Sequence, residues 1–168
     1  MDETRKEGKK EFEPRFTSEL FAWGESLMGV LIAFVVIFTF VVRLFGVDGM
    51  SMYPTLEDRS IMLVSNLGYH PEKGDIVVLR KDGFYSDQPI VKRVIATAGQ
   101  TVDIDFNLGR VYVDGVMLEE DYINDLTYRE EGTVFPLTVP EGEVFLMGDN
   151  RNHSNDSRDS SLGTVDTR

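Results

Sequence analysis

The sequence predicts a mainly β protein, in which one N-terminal transmembrane helix is followed by a compact all-β domain. One observation behind this prediction is a run of 16 residues without a charged side chain, from Leu27 to Val42. Another is that short runs rich in Val and Ile, separated by proline and glycine, fill the chain after residue 47. A length of 168 residues permits one domain with its own core but hardly two.

The apolar run is long enough to cross a bilayer. The window Ser26–Phe45 contains 20 residues, and a helix of that length spans about 30 Å, the thickness of the hydrocarbon core. Arg43 is close enough to the end to reach the interface, and Trp23 lies where an aromatic anchor is expected. A core helix of a soluble protein would carry a polar stripe. A cleaved signal peptide would have a shorter charged region and a small-residue cleavage site. We therefore expect an uncleaved anchor.

The basic residues around the run predict its orientation. Five lysines and arginines precede it, whereas Arg59 is the first basic residue after Arg43. Because the cytoplasmic flanks of membrane spans are enriched in Lys and Arg, we expect a cytoplasmic tail (1–25), an anchor (26–46) and an extracytoplasmic domain (47–168). The protein is then a single-pass protein of the plasma membrane, in contact with the lipid bilayer.

Alternating or continuous apolar runs predict the strands of the domain. Within Arg110–Leu118, Asp114-Gly115 between apolar residues predicts a hairpin with a type I′ turn. No segment after residue 47 shows helical periodicity over three turns. The other predicted strands are Ile61–Val64, Asp75–Arg80, Ile90–Thr97, Thr101–Asp105 and Glu143–Met147.

Composition and charge exclude several kinds of protein. The net charge is −12 and no Lys/Arg-rich stretch is present to neutralise phosphates, so we expect no nucleic-acid partner. The absence of cysteine excludes a disulfide framework, an iron–sulfur cluster and a thiol nucleophile. Because only two histidines are present, we expect no metal site and no cofactor.

Ser51 is a candidate nucleophile in the segment that leaves the membrane. It lies six residues after Phe45, so at most about 20 Å of extended chain separates it from the span. Met50 and Met52 flank it with flexible apolar side chains, suited to a membrane surface or an adaptable groove. Gly49 permits unusual backbone angles. A plain loop serine is the alternative interpretation.

A serine nucleophile needs a base, and Lys92 is one candidate. On a strand, Ile90, Lys92, Val94 and Ala96 share one face. An ammonium among those side chains would be desolvated, which favours the neutral amine. The neighbouring Arg93 stays protonated and cannot serve as a base. A lysine that reaches water from an edge strand is the alternative.

Histidine is the more usual base, and the chain has two of them. His70 lies in Gly-Tyr-His-Pro-Glu, a pattern typical of a solvated turn. His153 lies in a polar segment within a few residues of Asp149 and Asp156. A Ser-His-Asp triad therefore remains an alternative to a lysine base.

A third group of polar residues is the segment 148–159, which follows an apolar strand. None of its twelve residues is hydrophobic. A calcium loop does not fit, because Arg151 and His153 occupy the third and fifth positions counted from Asp149, and the loop glycine is missing. So many charges can be buried only if they pair with one another. We therefore expect ion pairs and hydroxyl hydrogen bonds that organise a site, with a solvated turn as the alternative.

Three segments, together and in this order, resemble the type I signal peptidases. They are Gly-Met-Ser-Met-Tyr-Pro-Thr-Leu (49–56) after an anchor, Ile-Val-Lys-Arg-Val-Ile (90–95), and Gly-Asp-Asn-Arg-x-x-Ser-x-Asp-Ser-Arg (148–158). The last motif is highly specific, and the resemblance runs from about residue 20 to the end. It implies a membrane-bound serine endopeptidase with a coiled-sheet, barrel-like catalytic domain, which removes signal peptides from exported preproteins.

The resemblance also implies roles for residues around Ser51. Ser51 falls on the nucleophile and Lys92 on the neutral general base, which together form and hydrolyse an acyl-enzyme. Gly49, Met50 and Met52 fall on the substrate and oxyanion region, where the Ser51 N–H donates to the oxyanion. Some members have a serine hydroxyl at position 49 as a second donor. With glycine there, a backbone N–H is the alternative donor.

Five further residues fall on supporting positions of the family. Ser154 matches a serine that hydrogen-bonds and orients the lysine amine. Asp149 matches an acid that pairs with Arg93, and Asp156 and Arg158 match a supporting ion pair. Members usually continue past Gly-x-Val with another strand, whereas this sequence stops three residues later.

Two other classes of protein compete with this interpretation. A membrane-anchored, non-catalytic β module for adhesion or assembly explains the anchor and the strands, but not Ser51, Lys92 and the polar segment together. A self-cleaving Ser-Lys peptidase of the SOS-repressor type is soluble and acts with DNA-binding partners, which the anchor and the acidic charge disfavour.

Overall fold

The computed structural model describes residues 14–65, 68–81, 83–84 and 88–167. Helix α1 runs over Pro14–Val36, and a π-helical turn, Ile37–Val41, follows it. The residues from 19 to 39 are all exposed. The segment Glu19–Thr39 has 21 residues and a mean hydropathy of 2.1, so by length and composition it can cross a membrane.

The helix lies earlier in the chain than the anchor predicted at 26–46. Residues 14–25, predicted as tail, are helical, whereas Val42–Gly46 form a strand. The rest of the predicted tail, 1–13, lies outside the described residues. The shift has a local cause, since Glu, Leu and Ala before the apolar run are good helix formers, and the β-branched residues at its end favour extended backbone.

The described chain after the helix forms ten short strands, which confirms the prediction of a mainly β domain. The hairpin turn lies at Asp114-Gly115, where φ is 53° and 77°, as a type I′ turn requires. The strands are β1 (Val42–Gly46), β2 (Ile61–Ser65), β3 (Ile76–Leu79), β4 (Ile90–Thr97), β5 (Thr101–Asp105), β6 (Arg110–Val113), β7 (Val116–Met117), β8 (Leu137–Thr138), β9 (Glu143–Met147) and β10 (Val165–Asp166).

Two antiparallel four-stranded sheets carry the core of the domain. One has the order β10-β9-β4-β3 and the other β7-β6-β5-β8, while β1 and β2 form a two-stranded sheet. Both faces of β4 and β9 are covered, which is why these strands are nearly continuous apolar runs. One face packs in a cluster of Ile95, Ala96, Val102, Ile104, Val111, Val113, Val139, Phe145 and Met147. The other packs in a cluster of Phe84, Val94, Val144, Leu146, Leu162 and Val165.

Strand β4 brings Lys92 to the interior. Ile90 and Val94, two residues before and after it, pack in the second cluster. A β-bulge between Val94 and Ala96 changes the alternation of side chains, so Ala96 packs in the first cluster. The prediction that Ala96 shares the face of Lys92 is therefore wrong, because sequence alternation does not reveal a bulge.

Candidate active site

Ser51 lies on the loop between β1 and β2, and backbone hydrogen bonds close the base of this loop. The Val47 N–H donates to the Ser60 carbonyl (2.8 Å), and the Arg59 N–H donates to the Val47 carbonyl (2.9 Å). Met52, next to Ser51, is buried, with 1% of its surface exposed. The loop is thus fixed at its base and by a buried side chain beside the candidate nucleophile.

Asn150 joins the Ser51 loop to the polar segment 148–159. Its backbone N–H donates to the Ser51 carbonyl (3.0 Å), and its side-chain amide donates to the Met50 carbonyl (3.0 Å). Gly148 is also close to this loop, since a Cβ added there would lie 2.5 Å from the Ser51 carbonyl oxygen. Two of the segments that the sequence singled out therefore meet through their backbones.

Lys92 reaches the Ser51 hydroxyl from β4. Its Nζ lies 2.8 Å from Ser51 Oγ and 3.0 Å from the Val91 carbonyl oxygen, and the residue is 3% exposed. Burial lowers the pKa of Lys92 from its ordinary value of 10.5 to about 8, while the negative charge of Asp156 opposes this change. Near pH 8 the amine is therefore partly neutral and can accept a proton.

Asp156 is the centre of a buried hydrogen-bond network beside Lys92. Its carboxylate accepts hydrogen bonds from Arg158 Nε and Nη2 (both 2.8 Å), the Ser154 hydroxyl (2.9 Å) and the Gly148 N–H (2.9 Å). Burial alone would raise the pKa of Asp156, but hydrogen bonds and charge from Arg158 hold it below its ordinary value. The Ser154 hydroxyl thus donates to Asp156. In the described part of the chain, Lys92 Nζ makes no hydrogen bond to the Ser154 hydroxyl.

Asp149 and Arg93 form a second buried ion pair. Arg93 Nε donates to Oδ1 (2.8 Å) and Nη2 to Oδ2 (2.6 Å), with side-chain exposures of 11% for Arg93 and 0% for Asp149. The Thr55 hydroxyl, from the Ser51 loop, donates to Oδ2 (2.5 Å). The guanidinium of Arg93 lies over the Tyr122 ring, 4.1 Å from its centroid. This pair connects β4, the polar segment and the Ser51 loop.

We expect Asp149→Asn to lower the free energy of unfolding by about 3–5 kcal/mol, because Arg93 would keep its buried charge without a carboxylate. Urea unfolding of the detergent-solubilised chain, followed by the circular dichroism of its β structure, measures this loss. Glu141→Gln removes an exposed carboxylate and should change the value by less than about 0.5 kcal/mol. Equal stabilities for the two variants would contradict the interpretation.

A third buried pair, Glu120 with Arg151, was not predicted. Arg151 donates from Nη2 (2.6 Å) and Nη1 (2.9 Å) to the Glu120 carboxylate, from Nη1 to the Thr127 hydroxyl (3.0 Å) and from Nε to the Gly148 carbonyl (3.1 Å). Arg151 belongs to the polar segment, but Glu120 precedes it by 31 residues. No local pattern in the sequence indicates that the two meet.

Gly49 has an engaged N–H. It donates to Asp58 Oδ1 (2.8 Å), and Gly49 has a φ of 90°, in the left-handed region that favours glycine. A substrate oxyanion would have to compete with Asp58 for this donor. The N–H of Ser51 itself has no hydrogen-bond partner among the residues that the structure describes.

A cleft of about 390 Å³ opens over Ser51 and Lys92. Met50, which is exposed, and His153 also line it. Within the described residues, the His153 side chain hydrogen-bonds to neither Asp149 nor Asp156, whose carboxylates are bound by arginines. His70, the other histidine, is exposed and lies outside this cleft.

The described residues contain no group of three or more His, Asp or Glu side chains arranged to hold a metal ion. The cleft presents a serine hydroxyl beside a buried amine. In this chain a β domain follows an apolar helix in sequence, and its cleft contains this serine hydroxyl and the buried lysine. This combination is typical of a serine hydrolase in which lysine takes the place of histidine as the base.

The family described as signal peptidase, peptidase S26, matches residues 20–168. The chain therefore belongs to this family, and it is a serine peptidase.

Two named relatives agree with this assignment. The chain is 44% identical over 116 residues to the probable signal peptidase I-1 of Synechocystis sp., covering 64% of this chain and 57% of that protein. It is 33% identical over 161 residues to signal peptidase I of Bacillus licheniformis, covering 90% of this chain and 84% of that one. A solved structure of a signal peptidase I from Enterococcus faecalis aligns with 58% of this chain and 91% of its own, at 31% identity and a TM-score of 0.48.

Proposed function

We propose that this chain is a membrane-bound serine endopeptidase that cleaves N-terminal signal peptides from exported preproteins, with Ser51 and Lys92 as its catalytic dyad. The observation that carries the proposal is the distance of 2.8 Å between Lys92 Nζ and Ser51 Oγ, at a buried position where the pKa of the amine falls to about 8. The substrate class is supported by relatives named signal peptidase I.

The reaction proceeds through an acyl-enzyme. The neutral amine of Lys92 takes the proton of the Ser51 hydroxyl as Oγ attacks the scissile carbonyl carbon. The tetrahedral intermediate collapses, the C–N bond breaks, and the leaving amine takes the proton from the Lys92 ammonium. Lys92 then deprotonates a water molecule that attacks the ester carbon. Collapse of this second intermediate breaks the C–Oγ bond, Ser51 Oγ takes the proton back from the Lys92 ammonium, and the signal peptide leaves with a new C-terminal carboxyl group.

The surrounding residues hold the dyad and stabilise charge. The Ser51 N–H donates to the oxyanion, because no described residue engages it. Ser154 acts on Lys92 through Asp156, to which its hydroxyl donates. The Asp149–Arg93 pair connects β4 to the Ser51 loop through Thr55, and the Asp156–Arg158 pair organises the polar segment. The second donor to the oxyanion comes from the substrate region around Gly49 and Met50.

The substrate binds as an extended strand across the cleft, with alternate side chains entering pockets. By resemblance to the family, those pockets accept small residues such as alanine at the first and third positions before the cut. The apolar helix anchors the enzyme in the plasma membrane with the N-terminal tail in the cytoplasm and the acidic domain outside. Ser51 follows Phe45 by six residues, so at most about 20 Å of extended chain separates it from the end of the apolar run.

The alternative, a non-catalytic module for adhesion or assembly, receives no support from the named relatives. It also leaves a buried lysine beside a serine without a purpose. Burial of an amine costs free energy, and a lysine that served only packing could be replaced by an apolar side chain.

Processing of a preprotein by the detergent-solubilised chain distinguishes a dyad from a Ser-His-Asp triad. Ser51→Ala should abolish cleavage, because the nucleophile is lost. His153→Ala should stay within about threefold of wild type, because Lys92 and not His153 is hydrogen-bonded to Ser51 Oγ in the described part of the chain. Trapping of a radiolabelled acyl-enzyme at Ser51 provides a second readout. Loss of cleavage in His153→Ala would favour the triad, and normal cleavage by Ser51→Ala would overturn the proposal.

A further inference from the structure

Asn150 is a buried residue that the proposed mechanism does not use. It is 2% exposed. Its side-chain amide donates to the Met50 carbonyl (3.0 Å), and its backbone N–H donates to the Ser51 carbonyl (3.0 Å). Because a carbonyl oxygen only accepts hydrogen bonds, the atom that faces Met50 must be the amide nitrogen. One residue therefore holds two successive carbonyls of the segment that contains the nucleophile.

The other end of this amide has no partner among the residues that the structure describes. Asn150 Oδ1 is buried and accepts no hydrogen bond from them. A buried acceptor without a donor costs free energy, and a leucine of similar size would avoid this cost. Stability alone therefore does not explain an amide at this position, whereas the donor that the amide offers to the Met50 carbonyl does.

Buried ion pairs fix the backbone of Asn150 on both sides. The residue before it, Asp149, is paired with Arg93, with 2.6 Å between the charged atoms. The residue after it, Arg151, is paired with Glu120, also at 2.6 Å. A side chain that orients another group must itself start from a fixed backbone. Asn150 meets this requirement.

The Met50 carbonyl belongs to the same peptide unit as the N–H of Ser51. This peptide bond is trans, so its carbonyl and its N–H point in opposite directions. Asn150 Nδ2 and the Tyr53 N–H (3.1 Å) both donate to the carbonyl, which fixes the plane of the peptide. Met50 and Ser51 line the cleft, whereas Asn150 is not one of its described lining residues. The Ser51 N–H is thus directed away from the buried amide and toward the cleft.

We propose that Asn150 is a positioning residue that orients the oxyanion donor, because it holds the Met50 carbonyl so that the N–H of Ser51 faces the scissile carbonyl oxygen. The inference rests on the proposed function, since it takes Ser51 as the nucleophile. A donor that is already aimed when charge develops on the oxygen costs no reorganisation during the reaction. The hydrogen bond to the carbonyl also polarises the peptide unit and strengthens its N–H as a donor.

Loss of the side-chain amide should weaken the transition state more than substrate binding. Asn150→Leu keeps the size of the side chain, and it leaves the backbone N–H bonds to the Ser51 and Met50 carbonyls in place. For the full chain in detergent, we expect kcat on a preprotein to fall by roughly 10- to 100-fold, since outright removal of an oxyanion donor costs about 10²–10³-fold. KM should stay within about threefold, because the lost interaction belongs to the transition state.

Asn152→Leu is the matched control, because it removes a similar amide from the same segment. Asn152 Nδ2 donates to the Leu126 carbonyl (3.0 Å), and its Oδ1 accepts from the Tyr128 N–H (3.1 Å), so its bonds do not involve the Ser51 loop. This variant should keep kcat within about threefold of wild type, and thermal unfolding shows whether both variants are folded. The proposal is overturned if Asn150→Leu keeps the wild-type kcat, or if Asn152→Leu loses as much.

The Met50–Ser51 peptide can be observed on its own, because Ser51 is the only serine of the sequence that follows a methionine. In a chain labelled with ¹³C-carbonyl methionine and ¹⁵N-serine, a single amide signal therefore shows the ¹³C–¹⁵N coupling. The probe is a peptidyl boronate, whose boron bonds to Ser51 Oγ while Lys92 takes the hydroxyl proton, so that a boron-bound oxygen stands in for the oxyanion.

Formation of this adduct should move the Ser51 amide proton downfield in the wild-type chain, and clearly less in Asn150→Leu. An unmoved signal in wild type means that the N–H does not face the oxyanion, and an equal movement in both chains means that Asn150 does not orient it; either result overturns the inference. Normal cleavage by Ser51→Ala would instead overturn the proposed function, so the failures of the two proposals are distinguishable.

Discussion

Lys92→Ala is expected to lower the rate of preprotein cleavage by at least about 10⁴-fold, the scale of loss when one member of a serine protease's catalytic unit is removed. The Ser51 hydroxyl is a poor nucleophile unless a base takes its proton. Lys92 Nζ is the group at hydrogen-bond distance from Ser51 Oγ in the described part of the chain. The measurement is the single-turnover rate on a preprotein, at enzyme concentrations high enough to detect very slow cleavage.

Two further variants distinguish a lysine base from a lysine that supplies only charge or volume. Lys92→Arg keeps a positive charge, but guanidinium stays protonated, so this variant should be as inactive as Lys92→Ala. Lys92→Met keeps the unbranched shape and should fold, as judged by circular dichroism, but should not cleave. A Lys92→Arg variant that retained a tenth or more of the wild-type rate would contradict the general-base role.

The wild-type pH profile adds an independent check on the same role. Because burial lowers the pKa of Lys92 to about 8, the amine is protonated and inactive below that pH and becomes neutral above it. The rate should therefore rise through about pH 8 and should not fall again until well above it. A rate that was flat between pH 6 and pH 9 would be inconsistent with a lysine base of this pKa.

Much of the β architecture could be predicted because its strands carry their own local signals. The bounds of β4, β5 and β9 coincide with the predicted runs, since these strands are continuous or alternating stretches of apolar residues. The bulge in β4 was not predicted, because it arises from pairing with β9 and leaves no mark in the sequence. The helix begins before the apolar window and ends within it, because apolar residues mark a span more sharply than they mark helix boundaries.

The candidate site was predictable only in part, for a related reason. Ser51, Lys92 and the polar segment could be singled out from residue types and from family resemblance. Their supporting contacts depend on residues far apart in the chain, such as the Thr55 hydroxyl on Asp149. Asp58, Tyr122 and Glu120 lie in segments without a distinctive pattern, so they could be found only from the folded structure.

Gly148 is a position outside the dyad where the addition of one methyl group is expected to have a large effect on cleavage. Gly148 follows β9 directly and is the first residue of the polar segment. Its N–H donates a hydrogen bond to the Asp156 carboxylate. A Cβ added to Gly148 would lie 2.5 Å from the Ser51 carbonyl oxygen and 2.6 Å from the Ser154 Cβ. Real Cβ atoms do not approach other heavy atoms so closely. Because one of these contacts is with backbone, the Ser51 loop must move to accept even a methyl group.

Gly148→Ala should therefore lower kcat by about 10²-fold or more, since a displacement of roughly 1 Å of a reacting group has that effect. The cleavage rate is measured on a preprotein, and thermal unfolding shows whether the domain remains folded. Gly24→Ala is the matched control, because a Cβ at Gly24 meets nothing within 4 Å. The double variant Gly148→Ala with Ser154→Gly removes the side-chain clash and leaves the clash with the Ser51 carbonyl, so it should stay impaired. If Gly148→Ala cleaved within threefold of wild type, the close approach of the two backbones would not be what holds Ser51 beside Lys92.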